Sequence, residues 1–424
     1  MREFFVIDDT MTNRISYWHL AGFLAALPFD HFYSELILAS FVIHTIIHCR
    51  KNYFPVLFSK RTLLLISLYL LSWVSLLYSP DKQEGLLILG RQSAILLFPV
   101  SFSLSGLDFR RYSLHLCKFF ALSCTIAILY LYADALHTIF YYKLPVSSLF
   151  TLVFMNHNFC LPISIHATYL SIYVAFSIII LAYAVSMEKN TVLKYVYLAC
   201  MMILTMGLLQ LSSRAVFIAL LIVINLVFPF LLFRGKQRLR FIITSLLLSA
   251  AVIFALARID SFKVRYINDL KKDLGGRMSL VEIDEPRIAR WQVIIKLIGR
   301  SPVIGYGTGA EKQLLQETYF REKLYSSYIN EFNSHSEYLS LLLKMGIIGL
   351  ALFIYVLFSG YLDAWRERDC CFHGFLILVT VVGVSENVLD LNKGIFFYSF
   401  FFSLFYIKNK PAEIEVAPET GNPA

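Results

Sequence analysis

The chain has 424 residues, 58% of them hydrophobic and 16% charged, with a net charge of +9 and a mean hydropathy of +0.65. Soluble domains carry about 25% charged residues, so the composition excludes a water-soluble globular protein and points to an all-α integral membrane protein. The positive excess fits cytoplasmic loops lying beside anionic lipid. No basic segment is interleaved with aromatics in a soluble stretch, which argues against a nucleic-acid partner.

In chain order, the opening MREFFVIDDTMTNR lacks a short apolar core ending in a small-residue cleavage site, so it does not read as a signal peptide. A spanning helix needs about 20 mainly apolar residues. Twelve candidates meet that pattern: 15–29, 33–49, 61–78, 90–106, 113–136, 164–186, 193–211, 213–233, 239–257, 335–360, 371–389 and 392–408. The expected layout is nine helices within 1–257, a large loop over 258–334, three more helices within 335–408, and a polar, disordered tail over 409–424. Every second short loop is basic: Arg50, Lys51, Lys60 and Arg61; Arg110 and Arg111; Lys189 and Lys194; Arg234, Lys236, Arg238 and Arg240; Arg366 and Arg368. Lys408 and Lys410 follow the last helix. These sides are cytoplasmic by the positive-inside rule, with both termini inside. The seven cysteines have no paired spacing of the kind that holds zinc or a disulfide framework, and they read as apolar filler.

Two loops face out, 137–163 and 258–334. The second contains a Gly275–Gly276 break and an E-x-D, Glu282 and Asp284; there is no D-x-D. After Pro286, apolar residues Trp291, Ile294, Ile295 and Ile298 recur at helical spacing, predicting an amphipathic helix that Pro302 and the glycines 305, 307 and 309 end. GYGTG lacks the strand-then-helix setting of a phosphate loop and reads as a turn.

The candidate functional residues gather on this outer side. Arg214 stands at a helix end between two apolar runs, where an arginine is costly and tends to mark a substrate path; lipid snorkelling or an ion pair, for instance with Glu386, is the structural alternative. Arg287 and Arg290 lie three residues apart on one helix, Arg287 in its first turn, where free N–H groups also favour an anion. A guanidinium fork suits phosphate oxygens and never loses its charge. His335 opens the helix after the large loop. Alone it reads as a cap. Beside cations its neutral form, which a general base needs, is favoured. His166 and Arg91 at other outer helix ends, and His157 and Asn158, read as structural or cavity-lining.

In combination these residues carry a resemblance. His335–Ser336, nine residues, Gly346, two residues, Gly349 matches the H-[NSQ]-x9-G-x-x-[GTY] pattern of the O-antigen ligase and polymerase superfamily of bacterial envelope glycosyltransferases. Arg287 four residues before Trp291, followed by Pro302 and Gly305–Tyr306–Gly307, and Arg214 in SSRAV, are similar to its other hallmarks. The resemblance implies a GT-C-like fold of about twelve transmembrane helices in the bacterial inner membrane, with one large periplasmic loop containing amphipathic helices. It implies an O-antigen ligase that needs no metal or other cofactor. The donor would be an undecaprenyl-diphosphate-linked glycan held by Arg214 and Arg287, with Arg290 as a second anion contact. A sugar of lipid A–core would be the acceptor, with His335 as base and inversion at the anomeric carbon. Glu337 is the acceptor-side candidate, though it is not a defining position of the family. Gly346 and Gly349 are expected to let that helix pack closely on a neighbour. A polymerase, a protein O-oligosaccharyltransferase or an exopolysaccharide enzyme shares the donor and differs in acceptor. A lipid-glycan transporter would instead place ionisable residues near the bilayer midplane and break its helices.

Overall fold

The computed structural model describes residues 7–274 and 285–408, and all regular structure among them is helical. Glu282 and Asp284, the Gly275–Gly276 break, Lys410 and the 409–424 tail lie outside the described residues. The long helices are α1 (Met11–Ala26), α2 (His31–Ile47), α3 (Lys60–Leu76), α4 (Lys82–Leu104), α5 (Phe109–Tyr141), α6 (Ala167–Met187), α7 (Thr191–Leu211), α8 (Arg214–Leu232) and α9 (Gly235–Leu256). Four short ones follow: α10 (Asp269–Leu274), α11 (Arg287–Ile298), α12 (Ala310–Arg321) and α13 (Tyr325–Ile329). The chain then forms α14 (Glu337–Glu367), α15 (Cys370–Val382) and α16 (Asn392–Lys408).

Each of the twelve expected segments has a helical counterpart. Among the described residues, however, only seven helices are long and apolar enough to cross a membrane unaided, α4 to α9 and α14. An eighth results if α2 is joined to Lys51–Leu57 across a bend of 111°. The protein is a multi-pass helical membrane protein, and α15, with 13 residues, is the shortest of the twelve. The expected 371–389 helix stops at Val382, because the polar residues that follow are engaged with other parts of the chain. α4 starts at Lys82 rather than near 90, where the Asp81 carboxylate caps it by accepting the Glu84 N–H at 2.9 Å.

The centre of the bundle is α16, whose residues 394–407 are all buried. Its Phe400 stands edge-to-face with Phe98 and Phe102 of α4, and Phe401 with Phe120 of α5 and Phe176 of α6. Such pairs contribute about 0.5–1.5 kcal/mol each beyond burial. In lipid that packing, rather than escape from water, holds helices together. α9 lies at the opposite extreme, with Ser245 as its one buried residue.

The two ends of the bundle differ in charge. At one end Arg61 pairs with Asp363 at 2.6 Å and Lys408 with Asp369 at 2.5 Å, and Arg110, Arg368 and Lys408 line one cavity. The loops before α3, before α5, after α14 and after α16 therefore meet there. The other end gathers the loops that precede α6, α8, α11 and α14.

α14 is not continuous. Gly346 takes φ 61°, ψ −160°, and the helix breaks there. Residues 302–307 fill the gap: the N–H groups of Tyr306 and Gly307 donate to the carbonyls of Leu343 and Lys344, at 2.9 and 2.8 Å. Beyond the break the N–H of Ile347 donates to Pro302 O at 2.9 Å. A Cβ at Gly346 would lie 2.2 Å from Val303 O, and one at Gly305 2.6 Å from Leu343 O. Gly346 and Gly305 thus serve one backbone-to-backbone junction, not the helix–helix packing that the spacing suggested for Gly346, whereas a Cβ at Gly349 would meet Met345 of its own helix. The break is also unlike a transporter's, because loop backbone occupies it and satisfies its polar groups. A small core of Val293, Ile294, Leu297, Leu315, Tyr319 and Leu324 packs on Leu343 and seats α11 and α12 on α14. Ile295, expected on the apolar face of α11, is exposed; Val293 and Leu297 take that place.

Candidate active site

A cavity of about 500 Å³ opens at the less basic end. Its lining includes His157 and His166 from the segment before α6, Arg214 from the start of α8, Arg265 and Asp273 from the stretch after α9, Arg287 from the start of α11, His335, and Glu386 from the turn after α15. One imidazole and two guanidiniums separated by as many as 121 positions along the chain, 335 against 214, thus share one space.

His335 is held from both sides. Its own backbone has φ 44°, the left-handed region that costs most side chains, and its N–H donates to Asn333 Oδ1 at 3.0 Å. Ser334 N–H donates to Glu311 Oε1 at 3.0 Å, while Ser336 N–H donates to Asn387 Oδ1 at 2.7 Å. Trp291 Nε1 donates to Ser334 O at 3.0 Å. Behind this loop Lys344, buried in α14, joins Glu311 at 3.0 Å and Asp390 at 2.7 Å, and Asn387 Nδ2 donates to Asp390 Oδ2 at 2.7 Å. Burial alone raises the Glu311 carboxyl, but Lys344 and the hydrogen bonds from Ser340 and Ser334 outweigh it, so its pKa is lowered. The network is fully paired, as buried charges must be, and it fixes the backbone on either side of His335.

Glu386 is the hub of the cavity floor. Its Oε2 lies 3.6 Å from His335 Nδ1, its Oε1 accepts from Thr168 Oγ1 at 3.4 Å, and Arg287 Nη2 stands 3.9 Å away. Burial raises this carboxyl; His335, His166 and Arg287 together pull it below the ordinary range. His166 stacks edge-on with His157 at 4.3 Å, and burial lowers its pKa to about 4, so it is neutral at pH 7. His157 is lowered in the same direction, by burial and then by the Arg265 charge.

The guanidiniums are arranged around Asp273. Arg214 Nη2 bonds to Asp273 Oδ2, and Arg287 Nε is 3.8 Å from the same oxygen. Arg287 also donates to Ser385 O at 2.9 Å. Arg265 pairs with Asp269 at 2.9 Å. Arg214 Nη1 and Arg265 Nε are buried without a hydrogen-bond partner among the described residues. Among those residues no group of three His, Cys, Asp or Glu side chains stands together as metal ligands would.

Residues 199–354 match a family described as O-antigen ligase. This segment belongs to the O-antigen ligase and polymerase superfamily. No curated protein matches the chain. The ligase-family segment carries Arg214, Arg265, Asp273, Arg287 and His335, whereas His157, His166 and Glu386 reach the cavity from outside it.

Three of the expected residues stand apart from the cavity. Arg290 does not line it: the side chain is buried at 7% exposure and lies over the Phe332 ring at 4.7 Å, where burial lowers its pKa. Phe332 in turn lies 5.6 Å from the His335 ring, so Arg290 touches the site through one aromatic. Glu337 is buried with Oε2 accepting Leu389 N–H at 2.8 Å, which ties α14 to the turn before α16 instead of facing an acceptor. Arg91 is exposed in the last turn of the first half of α4, beside Lys312, and opens no helix. Sequence reasoning passed over Arg265 and Asp273, and it gave Glu386 only as a partner for Arg214; its neighbours are Arg287 and His335. A signal for Glu386 exists: S-E-N-V-L-D at 385–390 crowds three polar chemistries into a short turn between apolar helices.

Proposed function

We propose that the protein is an O-antigen ligase, transferring a glycan from an undecaprenyl-diphosphate carrier to a sugar hydroxyl of lipid A–core. The observation that supports this reading is the convergence of His335 with Arg214 and Arg287 in one cavity. The guanidiniums take up the charge of the donor diphosphate. Glu386, near Nδ1 of His335, favours the tautomer whose Nε2 is free to accept the acceptor hydroxyl's proton and stabilises the imidazolium that results. The hydroxyl oxygen then bonds to the anomeric carbon as the bond from that carbon to the phosphate oxygen breaks. The diphosphate carrier leaves with the electron pair, and the anomeric configuration inverts. A periplasm-facing cavity in the inner membrane is supported by the gathering of Arg61, Arg110, Arg368 and Lys408 at the opposite end.

One observation favours a polymerase as the second reading: the smaller loop, 142–166, delivers His157 and His166 to the cavity, so two loops build the site rather than one. Deleting the gene and examining the lipopolysaccharide separates the two. Free core with lipid-linked polymer intact means ligase; core bearing a single repeat unit means polymerase. His335→Ala is expected to abolish transfer while the protein inserts normally and the lipid-linked donor accumulates. Normal transfer by that variant would remove the base.

A further inference from the structure

We propose that Arg265 is a third anion-binding residue of this cavity, and that Asp269 and Asp273 hold the anion's place until a diphosphate displaces them. The proposal rests on the preceding reading of the cavity as a diphosphate site, and goes beyond it in both residues and sequence of events.

Asp269 and Asp273 are four residues apart and so lie on one face of α10. That face meets three guanidiniums: Asp269 pairs with Arg265 at 2.9 Å, and a single oxygen of Asp273 is shared by Arg214 and Arg287. Two carboxylates in tandem against three arginines is the pattern that a diphosphate would make on the same residues. The match is incomplete in the direction expected of a stand-in. Two buried donors, Arg214 Nη1 and Arg265 Nε, are left without a partner among the described residues. A diphosphate brings more acceptor oxygens than two carboxylates and can engage both. The pairs are also exchangeable, since Arg265, Asp269 and Asp273 are 24–34% exposed, and ion pairs that water reaches are weak. Arg265 further lines the cavity itself and lies close enough to lower the pKa of His157 across it. The stand-in keeps the arginines from repelling one another while the cavity is empty.

The ligand class is a diphosphate, and the probe is inorganic pyrophosphate, with inorganic phosphate as the arm that represents a single lipid phosphate group. Binding is measured by calorimetry on the full chain in nanodiscs. Pyrophosphate is expected to bind more tightly than phosphate. Arg265→Ala should weaken pyrophosphate about tenfold, the worth of one charge-assisted contact. Asp273→Asn should tighten it severalfold, because a competitor has been removed. Unchanged pyrophosphate affinity in Arg265→Ala, or unchanged or weaker affinity in Asp273→Asn, overturns the proposal while leaving the diphosphate site itself standing. Wild type that binds no pyrophosphate overturns both. Should Asp273→Asn fail to fold, hydrogen exchange on the wild type decides: residues 265–274 exchange faster on adding pyrophosphate if the carboxylates are displaced, and slower or unchanged exchange overturns the displacement.

Discussion

His335 and Glu386 show how much a single carboxylate decides. An imidazole at the mouth of a membrane bundle has no fixed orientation of its own, and in the proposed mechanism Glu386, 3.6 Å from Nδ1, supplies one. Glu386→Gln keeps the shape and removes the charge; transfer is expected to fall by roughly 10²–10⁴, the usual worth of positioned acid–base help, with donor binding affected less than turnover. Equal loss in both would mean that Glu386 serves Arg287 instead. His166 makes a pH prediction. Its folded pKa of about 4 lies below the ordinary 6.5, so the unfolded chain takes up a proton before the folded one does. The stability from its burial is complete above pH 6.5 and lost as the pH falls toward 4. The thermal midpoint should drop across that window, and less steeply in His166→Asn. Glu386, lowered instead from 4.5, begins to lose its contribution only at the acid end of the same range. Arg214, Arg287 and His335 were legible in the sequence through the motifs that carry the family resemblance, Arg214 also as a costly residue at an apolar helix end. Arg265 and Asp273 were not, since they sit in a charged stretch, DSFKVRYINDLKKD, where such residues are ordinary.

At the scale of elements, the junction between 302–307 and α14 is the feature that joins the segment after α11 to the helix that follows His335. Three hydrogen bonds of 2.8–2.9 Å replace those that the helix gives up at Gly346. Gly346→Ala must both adopt a backbone that costs other residues about 1–3 kcal/mol and clear a carbonyl 2.2 Å from its Cβ. It should lower the thermal midpoint by several degrees and abolish transfer. Gly90→Ala, whose Cβ would meet nothing within 4 Å, is the matched control and should do neither. The helix boundaries were largely visible as apolar runs bounded by charges. The break in α14 was hidden, because MGIIGLALFIY is apolar on both sides of the glycine and spacing does not report φ. For the same reason 371–389 read as one run through Val388 and Leu389, although the polar turn had already begun.

For the molecule as a whole, alternating basic loops predict which end faces the cytoplasm, and the structure puts several of those basic residues together at one end. A reporter enzyme fused at Lys271, which is exposed beside the cavity-forming stretch, is expected to be active only outside the cytoplasm. Cytoplasmic activity at that position would invert the topology and put the cavity on the wrong side for a lipid-linked donor facing the periplasm.

The filled gap at Gly346 has a bearing on engineering. Because backbone from residues 302–307 completes a membrane helix, the two cannot be treated as exchangeable modules. A chimera that swaps acceptor preference by transplanting residues 258–334 alone would leave a foreign loop against a native notch. A productive crossover has to lie beyond Ile348, so that lock and key travel together.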